Sequence, residues 1–181
     1  MKYFPKIILL VALIVIVFSV EGYAASATEL NVKADASLKE LFAKTEPARS
    51  LSKKSVGQLI FPAVYKAGFG IGGEYGEGVL RIKGKTVDYY STAGASIGFQ
   101  LGAQKKSIIL LFMTQAALTD FRNSHGWEAG VDGSVALIEF GAGKDFDTRT
   151  VTNPIIGFVF SNKGLMYNLS LEGSKMTKIK K

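Results

Sequence analysis

The 181-residue chain contains no cysteine, a single histidine, one tryptophan and four prolines. Without cysteine the fold must hold by packing alone, and disulfides, thiolate metal sites, a thiol nucleophile and a lipobox acyl anchor are all excluded. The lone histidine, His125, would have to share a zinc ion with carboxylates only, an uncommon donor set. Beside Gly126 it is expected to be a turn residue. One histidine and many serines without a surrounding motif make no Ser-His-Asp set. Glu74 and Glu77 stand three apart, so a strand would point them to opposite faces and spoil an acid and base pair. Asp145 and Asp147 fall in an expected turn, where aspartate serves local hydrogen bonds. No catalytic residue, metal or cofactor is therefore expected, and the chain is not expected to be an enzyme.

Charge and apolar residues are not scarce: the formal net charge is +7, and 48% of residues are hydrophobic. Lys2 and Lys6 precede an uninterrupted apolar run from Ile7 to Phe18, which is shorter than the roughly 20 residues of a bilayer-spanning helix. Ala25, Ser26 and Ala27 come next as an A-x-A site, so residues 1–27 are expected to be a cleaved secretory signal peptide, with an uncleaved anchor as the alternative. Residues 28–181 then suffice for one domain with a core. Such a protein would be periplasmic or secreted, with at most peripheral membrane association, and not a lipoprotein. A basic exported domain leans toward anionic surfaces such as phospholipid head groups, and nucleic acid is a poor partner for it.

Residues 28–55 are expected to be helical. At 100° per residue, Leu30, Ala34, Leu38, Leu41 and Phe42 fall on one face between Glu29 and Glu46, while Lys33, Glu40 and Lys44 lie opposite. Pro47 is tolerated in the first turn of a second short helix over Ala48–Ser55. Basic residues cluster here: Lys33, Lys39, Lys44, Arg49, Lys53 and Lys54, with Lys66 further on. Each is by default a solvated cation. Beside an amphipathic helix, lysines add about 1 kcal/mol each at an anionic bilayer. The apolar face can point toward a membrane or cover a sheet.

Residues 56–173 carry β patterning. Strands are expected at Val56–Phe61, ended or bulged by Pro62, and at Val79–Ile82, with a turn over Lys83 to Lys85 and another strand at Thr86–Tyr90. Between them Gly68, Gly70, Gly72, Gly76 and Gly78 occupy alternate positions, broken only by Glu74. Glycine is disfavoured inside strands, so something must approach this face closely. Gly94 to Gln104 alternates strictly, placing Gly94, Gly98 and Gly102 on one face of a second strand. Ser107–Met113 is continuously apolar, as in a strand buried on both faces. Thr114 is placed to cap a helix over Gln115–Arg122 with Leu118 and Phe121 inward. Trp127–Phe140 is expected to be a long strand with a turn over Gly141–Asp147, Ile155–Phe160 and Leu165–Leu171 a hairpin about Asn162 to Gly164, and residues 174–181 a basic tail. The class is α+β: N-terminal helices, then a mostly antiparallel, glycine-rich sheet or partly closed barrel with one inserted helix.

Two literal motifs fail on context. Gly68–Gly73 matches G-x-G-x-x-G, but Glu74 to Leu80 is again glycine-rich and then β, so no helix N-terminus receives a pyrophosphate. Gly94, Gly98 and Gly102 match G-x-x-x-G, but Gln100, Gln104 and the two-residue alternation indicate a strand.

Several longer stretches closely resemble the SYLF domain family: FPAVYKAGFGIGGEYGEGVL (Phe61–Leu80), YYSTAGASIGFQLGAQ (Tyr89–Gln104), GWEAGVDGSVAL (Gly126–Leu137), GFVFSNKGLM (Gly157–Met166) and SLEG (Ser170–Gly173). The resemblance covers the chain from about Leu30 to Ile179 in the family's order. It implies binding of phospholipid or phosphoinositide without catalysis, with membrane contact through an N-terminal amphipathic helix and nearby basic residues. Glu29–Lys54 is the corresponding segment. Some fungal members also bind actin, which is not a plausible partner in a bacterial envelope. Many bacterial members are lipoproteins, and this chain departs from them in lacking the cysteine. The expected function is a non-enzymatic module binding anionic membrane in the bacterial cell envelope. The alternative is a structural or partner-binding envelope protein whose glycine faces receive another protein.

Overall fold

A computed structural model describes residues 25–138, 152–161, 164, 165, 171 and 173–181. The expected signal peptide through residue 24 and the turn over Gly141–Asp147 lie outside the described residues. So does most of the expected Leu165–Leu171 strand.

The first helix, α1 (Ala27–Lys44), begins where Ser26 Oγ accepts a hydrogen bond from the Glu29 amide. This satisfies one of the free amides of the first turn. Ala25 to Ala27, read in the sequence as a cleavage motif, thus form the cap and first residue of this helix. Thr45 separates it from α2 (Glu46–Lys54), with Pro47 in the first turn, where its missing N–H costs nothing.

Two very long strands then form one hairpin: β1 (Gly57–Ile82) and β2 (Lys85–Phe112), paired antiparallel. The strands expected separately at 56–61 and 79–82, and at 86–90, 94–104 and 107–113, merge into these two. Glycine does not end a strand when its backbone still finds a ladder partner. The connection is a two-residue turn, Lys83 at φ 51° and Gly84 at φ 76°, the positive pair that matches strand twist. Pro62 bulges rather than ends β1: Phe61 pairs with Ile108 and Val64 with Lys106, so two residues oppose Ser107. Ser107 Oγ donates to the Pro62 carbonyl at 2.9 Å.

The helix α3 (Gln115–Asn123) is capped by Thr114, whose side chain accepts from the Ala117 amide, and it buries Leu118 and Phe121 as expected. Next come β3 (Trp127–Glu128), β4 (Ala136–Leu137), β5 (Ile155–Ser161), β6 (Gly164–Leu165) and β7 (Lys175–Ile179). The single long strand over Trp127–Phe140 does not form. Asp132 accepts from the Glu128 amide at 2.7 Å and Gly130 sits at φ 87°, which turns the chain after Ala129. Ala136 and Leu137 then pair parallel to β5. The segment expected as a basic tail is also corrected: β7 pairs with both β2 and β3.

All seven described strands belong to one mostly antiparallel sheet, curled into a half-barrel, so the fold is α+β. Inside the curl, Leu59, Phe61, Leu80, Ile108, Leu110 and Phe112 pack with Phe121 of α3 and with Trp127. Outside, Ile60, Val79, Ile109 and Leu111 pack under Leu30, Ala34 and Leu41 of α1 and Leu51 of α2. Both faces of Ser107–Phe112 are therefore buried, as its unbroken apolar run requires.

The glycine run serves this curl. A Cβ on Gly78 would lie 2.5 Å from the Ile60 carbonyl oxygen, and one on Gly76 would lie 2.7 Å from that of Ala63. What approaches the bare face of β1 is β1 itself. The two glycine faces also meet across the hairpin, Gly68 opposite Gly102 and Gly70 opposite Gly98.

Candidate membrane-contact surface

The apolar stripe of α1 is core. Leu30 and Leu41 are buried against the sheet, and Leu38 and Phe42 are partly buried at its margin. A polar lock adds to this. Arg81 bonds Asp35 and the Asn31 carbonyl, and Asn31 also donates to the Tyr89 hydroxyl and accepts from that of Thr86.

The basic candidates divide into two groups. Lys33 lies on the flank of α1 that faces the hairpin; it pairs with Glu29 at 2.6 Å. The hydrogen bond from Lys33 holds Glu29 below the usual carboxylate range, and the same bond raises Lys33. Lys44 pairs with Glu40 at 3.1 Å and also reaches the Ser161 carbonyl. Arg49 pairs with Glu46 at 3.4 Å and stacks over Phe42, 5.2 Å from the ring centroid. Lys39, on the outer side of α1, and Lys53 and Lys54, in the last turn of α2, are exposed. Neither these three nor Lys66 has a carboxylate partner among the described residues. Lys66 stands apart from the helices on β1, in register with Gln104.

Between α1 and the curled hairpin lie two adjoining clefts that share Lys33, Pro62 and Ala63. One, of about 370 Å³, is lined by Leu30, Tyr65, Tyr75 and Glu77 among others. The second, of about 280 Å³, brings in Lys105, Lys106, Ser107 and Glu40. The larger falls at the low end of ligand-cleft sizes, roughly 300–1,000 Å³. Tyr65 and Tyr75 are 55% and 51% exposed at its edge. Desolvation, then Glu77, holds the Tyr75 phenol above its ordinary value. The last residue of the chain closes the rim: Lys181 Nζ pairs with Glu77 at 2.7 Å and donates to the Ala25 carbonyl at 3.0 Å.

Tyr65, Tyr75 and Lys105 were not among the sequence candidates for lipid contact. The signal was present as aromatic and basic residues alternating with glycine and alanine, but which face was free depended on where α1 docked. Glu74, the interruption in the glycine run, points inside the curl. Its carboxylate takes Lys106 Nζ at 2.7 Å and the Ser174 hydroxyl at 3.1 Å, with the ion pair almost fully buried. Glu74 and Glu77 have separate cationic partners, Lys106 and Lys181.

Residues 93–181 match the family model described as Ysc84, a Las17-binding protein actin regulator. Over this stretch the chain is similar to the SYLF domain family. No curated protein matches the chain. The SYLF family is one of binding domains, associated with lipid and actin binding. The matched stretch begins inside β2, whose ladder partner β1 lies before it, so the matched residues need the earlier half of the hairpin to complete their sheet.

Proposed function

We propose that this protein is a non-enzymatic SYLF module of the bacterial cell envelope, exported by its N-terminal segment, that binds anionic phospholipid at a membrane surface. What carries this reading is similarity to a lipid-associated family in a chain whose exterior holds exposed lysines without carboxylate partners among the described residues: Lys39, Lys53, Lys54 and Lys105.

The contact is made with α1 docked. Exposing Leu30 and Leu41 would cost about 1.5–3 kcal/mol each before any lipid contact compensated, and the Arg81, Asp35 and Asn31 bonds would be lost with them. Binding is therefore peripheral and largely electrostatic. Among the described residues no helix is long and apolar enough to cross a membrane.

Vesicle co-sedimentation tests the proposal, comparing phosphatidylcholine alone with phosphatidylcholine plus phosphatidylglycerol. We expect preference for the anionic vesicles, weakened by salt. With about 1 kcal/mol per lysine at such a surface, replacing a lysine that meets it by alanine lowers the affinity roughly fivefold. Equal binding to both vesicle types, unaffected by salt, sinks the reading.

A further inference from the structure

Among the described residues β2 has a third strand beside it only near its ends: β7 along residues 89–93 and β5 along 107–112. Between them, residues 94–106 pair with β1 alone among the described residues, which makes the middle of the hairpin a two-stranded ribbon. Its inner face carries the glycine phase and the Glu74 and Lys106 pair. On the outer face, the described members of the odd phase are all exposed, from Tyr65, Ala67, Gly73 and Tyr75 to Ala93 and Ala95. Further along, α1 covers this same face at Val79 and Ile109.

In the register of this ribbon Ile71 stands opposite Ile97. Neither 65–73 nor 93–106 contains an acidic residue, while Lys105 lies at the base. Lys105 stands opposite Tyr65, its Nζ 6.0 Å from that ring's centroid. An exposed, acid-free face that carries tyrosines and a lysine matches the interface and phosphate layers of an anionic bilayer surface.

We propose that the outer face of this ribbon, not α1, is the element that docks into the head-group region of an anionic bilayer. The proposal rests on the lipid-binding reading and names the surface responsible. Docking is shallow, because the open edges of a two-stranded ribbon carry backbone N–H and C=O groups that hydrocarbon cannot satisfy. Tyr65 and Tyr75 rest at the interface, and Lys105 meets phosphates.

The absence of cysteine from the chain makes the test clean. In the full-length protein, Ala95→Cys and Ala67→Cys place an environment-sensitive fluorophore on the ribbon, and Ala43→Cys and Val131→Cys place it on the outer side of α1 and on the turn after β3; far-UV circular dichroism checks each fold. With phosphatidylcholine and phosphatidylglycerol vesicles, the two ribbon labels should shift to the blue and brighten while the other two keep their aqueous spectra. A shift at position 43 without one at 95 and 67 makes the helix the contact and overturns the proposal. Preferential sedimentation with anionic vesicles but no shift at 95 or 67 overturns it and leaves lipid binding standing. A ribbon shift that grows with protein concentration in the absence of vesicles assigns the face to a second copy and also overturns it. No preference for anionic vesicles removes the lipid reading and this inference together.

Discussion

Gly78 and Gly73 share one strand and have opposite tolerances. A Cβ at Gly78 meets a backbone carbonyl and the Phe61 ring at 2.5 Å, whereas at Gly73 the nearest atom is the Gly94 carbonyl oxygen at 3.8 Å. Gly78→Ala should therefore cost about 1–3 kcal/mol, since backbone cannot swing aside. Gly73→Ala should fall within about 0.5 kcal/mol of the parent; urea unfolding of both variants reads the difference. At the buried pair, Glu74→Leu strands the Lys106 ammonium and should cost about 3–5 kcal/mol. Adding Lys106→Met should recover most of that loss, and a double-mutant cycle by chemical unfolding checks it. Tyr90 is buried, and its hydroxyl has no hydrogen-bond partner among the described residues. Burial first, and the Asp88 charge second, push its phenol up to about 12. The unfolded chain then ionises this group before the native one does. Its contribution is complete below the ordinary phenol value near 10 and is lost as pH rises through about 12. Tyr90→Phe should be near neutral at pH 7 and should flatten the alkaline fall in stability across that window, measured by thermal melts. Of these residues, the sequence marked the glycines and singled out Glu74 as the exception among them. It could not mark Lys106 as its partner, because 32 residues separate the two and the curl brings them together.

The helices were legible because their signals are local. Thr114 as a cap, Pro47 in a first turn and the face carrying Leu30 and Leu41 all depend on neighbours within a few residues, and the structure places each where the pattern puts it. What α1 faces was not local information: an apolar stripe looks the same whether sheet or lipid lies beneath it. Because the stripe is core, amide exchange across residues 30–41 should stay slow and change by less than about twofold on vesicle binding, as expected for a segment that opens only with much of the fold. Loss of protection there on binding would mean that the helix leaves the sheet. Strand boundaries are harder to read. Glycine and proline look like breaks within β1 and β2, yet a register partner on the other arm carries each ladder through. Conversely, Trp127–Phe140 alternates like a strand but is turned by Gly130 and by the Asp132 side chain. The lysines at 175 and 178, expected in a solvated tail, are held in β7, and Lys178 joins Arg122 at the Asp88 carboxylate.

For the whole molecule, net charge and the distribution of lysines predict a salt-sensitive association. Raising ionic strength from about 0.1 to 1 M shortens the screening length from roughly 10 to 3 Å. Vesicle binding should fall steeply over that range while the melting temperature moves little, because most of the cohesion is apolar. Co-sedimentation and calorimetry on one salt series measure both. Composition and local pattern sufficed for the α+β class, the helix caps, the doubly buried strand at 107–112 and the lack of any thiol chemistry. They act over a few residues, or over the whole chain at once. Tertiary structure alone decided that β1 curls until its own two halves touch at glycine, that α1 lays its apolar face on the sheet, and that the described outer-face residues in the middle of the hairpin are left exposed. Each of these depends on which distant segments compete for the same buried surface, and local pattern carries no record of that competition.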